Sequence, residues 1–85
     1  MRKLLQSKTF ARQVKKLKAN DKKKIDETVR KIMKTPAQGN PKKGNLAGVY
    51  TMTFALHGAQ HRLAYRFDAK KIELLSFGPR ENFYR

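Results

Sequence analysis

The sequence predicts an α+β domain in which an N-terminal helical hairpin packs on one face of a small, mainly antiparallel sheet. Apolar residues recur at helical spacing up to residue 34. Beyond residue 50, apolar and polar residues alternate over 50–56 and 60–67, and a more continuous apolar run follows at 72–77. Only a few residues separate these three stretches, so we expect neighbouring strands to pair as hairpins. At 85 residues, we expect the chain to form a single domain, 1–85.

The N-terminal segment is predicted to contain a short strand followed by two helices. Residues 2–6 form the strand, and Ser7 or Thr9 caps a first helix that runs to about Ala19. Asp21 is the predicted N-cap of the second helix. Because the turn between the helices is so short, they are expected to form an antiparallel hairpin. The predicted apolar stripes are Phe10, Val14 and Leu17 in the first helix, and Ile25, Val29, Ile32 and Met33 in the second.

A loop follows the second helix. Residues 35–48 are rich in proline, glycine and asparagine, which cannot continue a helix. The loop carries two adjacent cations, Lys42 and Lys43, and Leu46 is its expected anchor into the core. The sequence therefore predicts a long surface loop that is tied down at one point.

The stretch 60–67 is predicted to be the central strand. One of its faces is apolar, and the other carries the guanidinium groups of Arg62 and Arg66. The helices are expected to cover the apolar face, which leaves the arginines exposed together with Thr51 and Thr53 of the preceding strand. A strand that is apolar below and cationic above is suited to bind phosphate groups.

Charge is the strongest compositional signal. The chain has 21 Lys and Arg residues against 6 Asp and Glu, a net charge of +15. Such an excess weakens the compact state by self-repulsion, which indicates a polyanionic partner such as nucleic acid or the ribosome. The chain has no cysteine, which excludes disulfides and thiolate metal sites and fits a reducing compartment. No apolar run approaches the roughly 20 residues of a membrane span, so we expect a cytosolic protein without membrane contact.

The residues exclude several kinds of active site and leave one open. The two histidines flank a turn without further matched ligands, so no metal site is expected, and no phosphate-binding loop or nucleophilic triad is present. No cofactor is implied. RNA, however, brings its own nucleophile, the 2′-hydroxyl group, and a protein need only orient it, stabilise charge and move protons. The candidates by residue type are His61, Arg62, Arg66, Arg80, Glu81 and Tyr84.

Structural roles compete with these functional ones. Arg66 is equally suited to pair with Glu73 on the neighbouring strand, and Phe83 to act as a packing anchor or to stack on a base. His57 is interpreted as a solvated turn residue, and Tyr65 as a core residue because it alternates with core positions.

Three motifs carry a resemblance to a known family. They are Lys-Lys-Gly-Asn-Leu-Ala-Gly at 42–48, His-Arg-Leu-Ala-Tyr-Arg at 61–66, and Leu-Leu-Ser-Phe-Gly-Pro-Arg-Glu-Asn-Phe-Tyr-Arg at 74–85. With the helical segment before them, they make the chain resemble the RelE/ParE superfamily of bacterial type II toxins over nearly its whole length. It is most similar to the ParE-like toxin branch whose members end in Gly-Ser-His-Glu-Asn-Phe-Tyr-Arg.

The resemblance implies a toxin that a cognate antitoxin neutralises in the bacterial cytoplasm. RelE-type members cleave mRNA in the ribosomal A site without a metal, and the basic helices would then contact ribosomal RNA. ParE-type members instead poison DNA gyrase without nuclease activity. A plain RNA- or DNA-binding module is the third hypothesis, and it rests on the charge alone.

The resemblance also assigns roles to residues. Arg62 matches a strand arginine that contacts phosphate, and Arg80 stands where relatives carry an arginine or a catalytic histidine. Two lysines of RelE are replaced here by Thr51 and Thr53, so proton transfer is left to His61, Tyr84 or Glu81. The expected catalytic residues are Arg62, Arg80, Tyr84 and His61, and the expected RNA- or phosphate-binding residues are Lys42, Lys43, Arg66, Phe83 and Arg85.

Overall fold

A computed structural model describes residues 2–41 and 48–79. Its elements are β1 (Lys3–Gln6), α1 (Lys8–Lys15), α2 (Ala19–Lys34), a 3₁₀ turn (Pro36–Gln38), β2 (Asn40–Pro41), β3 (Tyr50–Leu56), β4 (Ala59–Phe67) and β5 (Lys71–Pro79). The strands form one sheet in the order β1-β5-β4-β3-β2. β1 pairs with β5 in parallel, and the other pairs are antiparallel. The predicted α+β fold with a mainly antiparallel sheet is confirmed, and β4 is its central strand.

The helix boundaries differ from the prediction at one junction. Ser7 caps α1 as expected, because its hydroxyl oxygen accepts a hydrogen bond from the Phe10 amide at 3.0 Å. However, α1 ends at Lys15 and not near Ala19, and the N-cap of α2 is Lys18 and not Asp21. The main chain makes a tight turn between the two helices, in which the Leu17 amide donates a hydrogen bond to the Val14 carbonyl at 3.0 Å. α2 therefore begins two residues before Asp21.

Both helices contribute to one core against the sheet. The rings of Phe10 in α1 and Phe77 in β5 meet edge to face with centroids 5.8 Å apart. Met33 was predicted in the stripe of α2 but is 38% exposed, because it stands at the margin of the buried stripe that Ile25, Val29 and Ile32 form. The antiparallel orientation of the two helices stays a prediction. The buried cluster consists of Phe10, Ile25, Val29, Ile32, Leu63, Tyr65, Ile72, Leu74 and Phe77.

A β-bulge interrupts the pairing of β4 with β5. Ala64 pairs with Ser76, but the next residue, Tyr65, pairs with Leu74, so Leu75 has no counterpart on β4. The bulge lets both Leu74 and Phe77 enter the core although they are three residues apart. The Ser7 hydroxyl donates a hydrogen bond to the Leu75 carbonyl at 2.6 Å, which ties the bulge to the start of α1.

The last strand is longer than predicted. It continues through Gly78 to Pro79, the two residues expected to stop it at Phe77. Gly78 pairs with Arg62 and Pro79 with His61, so the end of β5 lies beside two candidate site residues.

The segment after α2 is folded back onto the sheet. The Tyr65 side chain is fully buried, as predicted, and its hydroxyl donates a hydrogen bond to the Pro36 carbonyl at 2.5 Å. Asn40 and Pro41 then form the short edge strand β2, which pairs with β3. The loop prediction did not include this strand. Within the described residues, neither helix is long and apolar enough to cross a bilayer.

Candidate nucleic-acid interface

The face of the sheet opposite the helices carries the predicted arginines. On β4, Leu63 and Tyr65 point into the core, so alternation places Arg62, Ala64 and Arg66 on the other face. We call this other face the open face. Cross-strand pairing adds Thr51 and Thr53 from β3, and Glu73, Ser76 and Gly78 from β5.

Arg62 lies near the middle of the open face. It is half-buried, between Thr53 on one neighbouring strand and Gly78 on the other. A Cβ atom built on Gly78 would meet no atom of residues 2–41 and 48–79 within 4 Å. A guanidinium held at a fixed place on a sheet has planar donors that match the oxygens of a phosphate. The sequence showed the arginine, but its place beside Gly78 became visible only from the pairing register.

Arg66 forms an ion pair with Glu73, which was the structural alternative to a phosphate-binding role. Its Nη2 atom lies 3.3 Å from Glu73 Oε1, and the two side chains are 56% and 35% exposed. An exposed pair of this kind contributes little to stability, and a phosphate can compete for the guanidinium. The pairing hypothesis is confirmed, and the binding role stays a prediction.

Thr51 was expected to be exposed on the open face, and that expectation is wrong. Thr51 is 1% exposed, and its partner across the strand, Ala64, is 5% exposed. Both side chains are short, and Thr51 lies between Ala64 on β4 and Asn40 on β2. Thr53 is exposed. Of the two threonines that replace lysines in the resemblance, only Thr53 therefore reaches the surface near Arg62.

His61 lies on the other face of β4 from Arg62. Its ring contacts Phe54 with centroids 5.7 Å apart, and its Nδ1 lies 3.1 Å from the Ala59 carbonyl oxygen. The structure therefore does not bring the imidazole together with Arg62 and Arg66. It does place His61 directly opposite Pro79, at the end of β5.

His57 has a structural partner that the sequence did not reveal. Its backbone has φ 53°, and Gly58 follows with φ 74°, so both central residues of this hairpin turn are left-handed. The His57 Nε2 atom lies 2.9 Å from Asp21 Oδ2. The side chain is 72% exposed, as expected of a turn residue, but it also ties the β3–β4 hairpin to the first turn of α2.

Several predicted site residues lie outside the described part of the chain. They are Lys42, Lys43, Arg80, Phe83, Tyr84 and Arg85, and the anchor Leu46 and the alternative proton carrier Glu81 lie there too. Among residues 2–41 and 48–79, no three acidic or histidine side chains come together as a metal site would require.

Positive charge is present on both sides of the sheet. The helical segment 8–34 contains 11 basic and 3 acidic residues, a net charge of +8, and all 11 basic residues are exposed. Arg62 and Arg66 lie on the opposite side. The protein thus presents two cationic surfaces that face in opposite directions, and one small anion cannot contact both.

Comparison with known proteins identifies the family. Residues 4–85 match the family described as ParE-like toxin of type II bacterial toxin-antitoxin system. A chain of the intact E. coli RelBE toxin-antitoxin complex has a similar structure, with a TM-score of 0.73, 17% identity, and coverage of 93% of this chain and 96% of that chain. At that identity the likeness shows a shared fold. No curated protein matches the sequence. Because the family match spans almost the whole chain, this protein belongs to the ParE-like toxins of type II toxin-antitoxin systems, within the RelE/ParE superfamily that its motifs predicted.

Proposed function

We propose that this toxin is a ribosome-dependent endoribonuclease that cleaves mRNA in the A site and blocks translation in the bacterial cytoplasm. The observation that carries the proposal is the position of Arg62, half-buried on the open face between Thr53 and Gly78. A guanidinium in that position is suited to a phosphate that gains charge during reaction.

The reaction needs few protein groups. The 2′-oxygen of RNA attacks the adjacent phosphorus, and the bond from phosphorus to the next nucleotide's 5′-oxygen breaks. A base takes the 2′-hydroxyl proton and an acid supplies one to the leaving oxygen, which gives a 2′,3′-cyclic phosphate and a 5′-hydroxyl end. Arg62 and Arg80 are assigned to charge stabilisation, because an arginine hardly gives up its proton. Tyr84 or Glu81 is assigned to proton transfer, because His61 lies on the other face of β4 from Arg62.

The distribution of charge supports the ribosome as the place of reaction. Cations on both sides of the sheet suit a site in which RNA surrounds the protein, with message against the open face and ribosomal RNA against the helices. The same net charge of +15 suits an acidic antitoxin that wraps the toxin, and the structural likeness to a chain of a toxin-antitoxin complex supports such a partner.

The test is induced expression followed by mapping of 5′ ends on a translated message. We expect cuts at codon positions that disappear when translation is blocked, and 5′-hydroxyl chemistry at the new ends. Arg62→Ala should abolish both the cuts and the growth arrest, whereas Arg62→Lys should keep partial activity, because it retains the charge but loses the planar donors.

Arg66→Ala is the matched control on the same strand and face. Because the Arg66 side chain is 56% exposed and lies nearer the end of β4 than the half-buried Arg62, its loss should reduce cleavage much less than the loss of Arg62. A folded Arg62→Ala variant that remains fully toxic would contradict the proposal.

Poisoning of DNA gyrase is the second candidate, and the ParE-like name of the matched family favours it. It predicts growth arrest with DNA-damage signalling and an uncut message. A plain nucleic-acid-binding module predicts neither arrest nor cuts, only binding that weakens steeply with salt. The same expression experiment therefore separates the three hypotheses.

A further inference from the structure

A cavity of about 560 Å³ opens at the edge of the sheet, where β2 ends and β3 continues. β2 pairs only with Tyr50 and Thr51, whereas β3 runs on to Leu56. The same register would bring Gln38 opposite Thr53, but the chain forms the 3₁₀ turn at that point and leaves the sheet. The described residues that line the cavity include Lys31, Gln38, Asn40, Met52 and Thr53.

The main chain of Thr53 faces this cavity. A Cβ atom built on Gly39 would lie 3.0 Å from the Thr51 carbonyl oxygen, so Thr51 directs its main-chain groups toward β2. Main-chain direction alternates along a strand, so Thr53 directs its amide and carbonyl groups to the same side. β2 does not reach Thr53, and no further strand of the described sheet lies beyond β2. Thr53 therefore presents one donor and one acceptor, side by side, to an occupant of the cavity.

A donor beside an acceptor matches an edge of any nucleobase, so the main chain alone does not select among the bases. Adenine differs because it repeats the pattern on two adjoining edges, with its N6 amine between the acceptors N1 and N7. The N7 edge of guanine offers acceptors only, and uracil and cytosine have carbon atoms where this second edge would be. A side-chain amide, which also has a donor beside an acceptor, binds the N6 and N7 atoms of adenine bidentately.

The cavity supplies such amides next to the predicted phosphate site. The Gln38 and Asn40 side chains both line it and are exposed. Lys31 adds a positive charge, and none of the described lining residues is acidic, so an anionic nucleotide is attracted. Thr53 also pairs with Arg62 across β3 and β4, which are about 4.8 Å apart. A nucleotide with its phosphate at Arg62 can therefore extend its base across β3 into the cavity.

We propose that this cavity is a subsite that selects adenine in single-stranded substrate RNA. The Thr53 amide donates to adenine N1 and the Thr53 carbonyl accepts from the N6 amine, so the base takes the place of a strand residue at the open edge. The side-chain amide of Gln38 or Asn40 binds the N6 and N7 atoms. The inference rests on the proposed nuclease function, because it names the base that lies beside the phosphate at Arg62.

The first test is a nuclear magnetic resonance titration of the full chain with adenosine monophosphate, in the absence of ribosomes. The Thr53 amide resonance should shift, and its hydrogen exchange should slow by about tenfold at saturation, because the amide becomes bonded. Inosine monophosphate carries an oxygen in place of the N6 amine and should bind at least about tenfold more weakly. Ribose 5-phosphate and inorganic phosphate lack a base and should leave the Thr53 resonance in place.

A double variant provides the second measurement. Gln38→Ala combined with Asn40→Ala removes both amides and should weaken binding of adenosine monophosphate by about tenfold. The matched control combines Gln60→Ala with Asn20→Ala, which removes the same two groups at exposed positions outside the cavity. In the mapping of cut messages, adenine should be enriched at one fixed position beside the cuts, and the first double variant should lose this enrichment while it still cuts.

The outcomes separate this inference from the proposed function. Equal affinity for the adenosine and inosine nucleotides, or an unshifted Thr53 amide, would overturn the adenine subsite and leave the nuclease function standing. Cuts without a base preference would do the same. An uncut message would overturn the nuclease function, and the titration would still decide whether the cavity binds adenine.

Discussion

At residue 39 the backbone passes so close to the Tyr65 side chain that no side chain fits there. A Cβ atom on Gly39 would collide with the Tyr65 hydroxyl and come within 2.9 Å of Tyr65 Cζ and 3.0 Å of the Thr51 carbonyl oxygen. Gly39 has an ordinary φ of −68°, so space and not backbone conformation requires glycine. The contact matters because Tyr65 is fully buried and bonded to Pro36.

We therefore expect Gly39→Ala to lower the free energy of unfolding by about 1–3 kcal/mol, measured by urea denaturation, because a packed core resists added atoms. Gly78→Ala is the matched control, since a Cβ there meets no described atom within 4 Å, and it should be close to neutral. Equal effects of the two substitutions would show that the clash at residue 39 is relieved without cost.

The buried hydroxyl of Tyr65 should make the free energy of unfolding depend on pH in the alkaline range. Burial raises the pKa of the Tyr65 hydroxyl above its usual value of 10.0. Because the folded state favours the protonated phenol, Tyr65 contributes a stabilisation to the fold. This contribution is complete below pH 10 and is lost as the pH rises through the raised pKa. Between about pH 9 and 11, the free energy of unfolding should fall more in the wild type than in Tyr65→Phe. Parallel curves for the two proteins would contradict this expectation.

At the scale of elements, α1 is joined to the exposed end of β5 by one side chain. Gln13 Nε2 donates to the Phe77 carbonyl at 2.7 Å, and the Phe77 amide donates to Gln13 Oε1 at 2.9 Å. β1 ends at Gln6 opposite Leu74, so it does not reach Phe77. The side-chain amide of Gln13 makes the two hydrogen bonds to Phe77 that a neighbouring strand would otherwise make. This contact holds the last residues of β5 beside Arg62.

Gln13→Leu should cost about 1–3 kcal/mol of stability, because it leaves the part-buried amide and carbonyl of Phe77 without partners. It should also speed exchange of the Phe77 amide. Arg12→Leu, an exposed neighbour on the same helix, should change stability by less than about 0.5 kcal/mol. If urea denaturation gives the same loss for both variants, the two hydrogen bonds do not stabilise the docking of α1.

At the scale of the whole molecule, repulsion among like charges opposes folding. The net charge of +15 is spread over both sides of the sheet, and the described ion pairs are Arg66–Glu73 and His57–Asp21. Such repulsion acts over the Debye length, which falls from about 30 Å at 0.01 M salt to about 8 Å at 0.15 M.

Stability should therefore rise with salt. We expect the Tm of the isolated toxin to increase between 0.01 M and 0.15 M NaCl, by about 4–8 °C for each kcal/mol of repulsion relieved. Replacement of the exposed Lys8, Lys15 and Lys23 by glutamine lowers the charge from +15 to +12 and should reduce this dependence. A Tm that is constant or falls over this range would show that repulsion does not limit stability.

Local patterns were enough to predict much of this protein. Alternation along 60–67 separated the core side of β4 from the side with Arg62 and Arg66, and the hydroxyl of Ser7 marked the start of α1. The motifs of the strands and the tail indicated the toxin family. These features depend on residues that are close in sequence, so the sequence by itself determined them.

Other features were decided only when distant parts of the chain met. The burial of Thr51, the bulge at Leu75, the position of His61 away from Arg62, and the exposure of Met33 all depend on neighbours that tertiary pairing supplies. Periodicity tells which face of an element is apolar, but not how far a partner covers it or where a register shifts. Those outcomes follow from close packing between elements, in which each side chain takes only the space that the others leave.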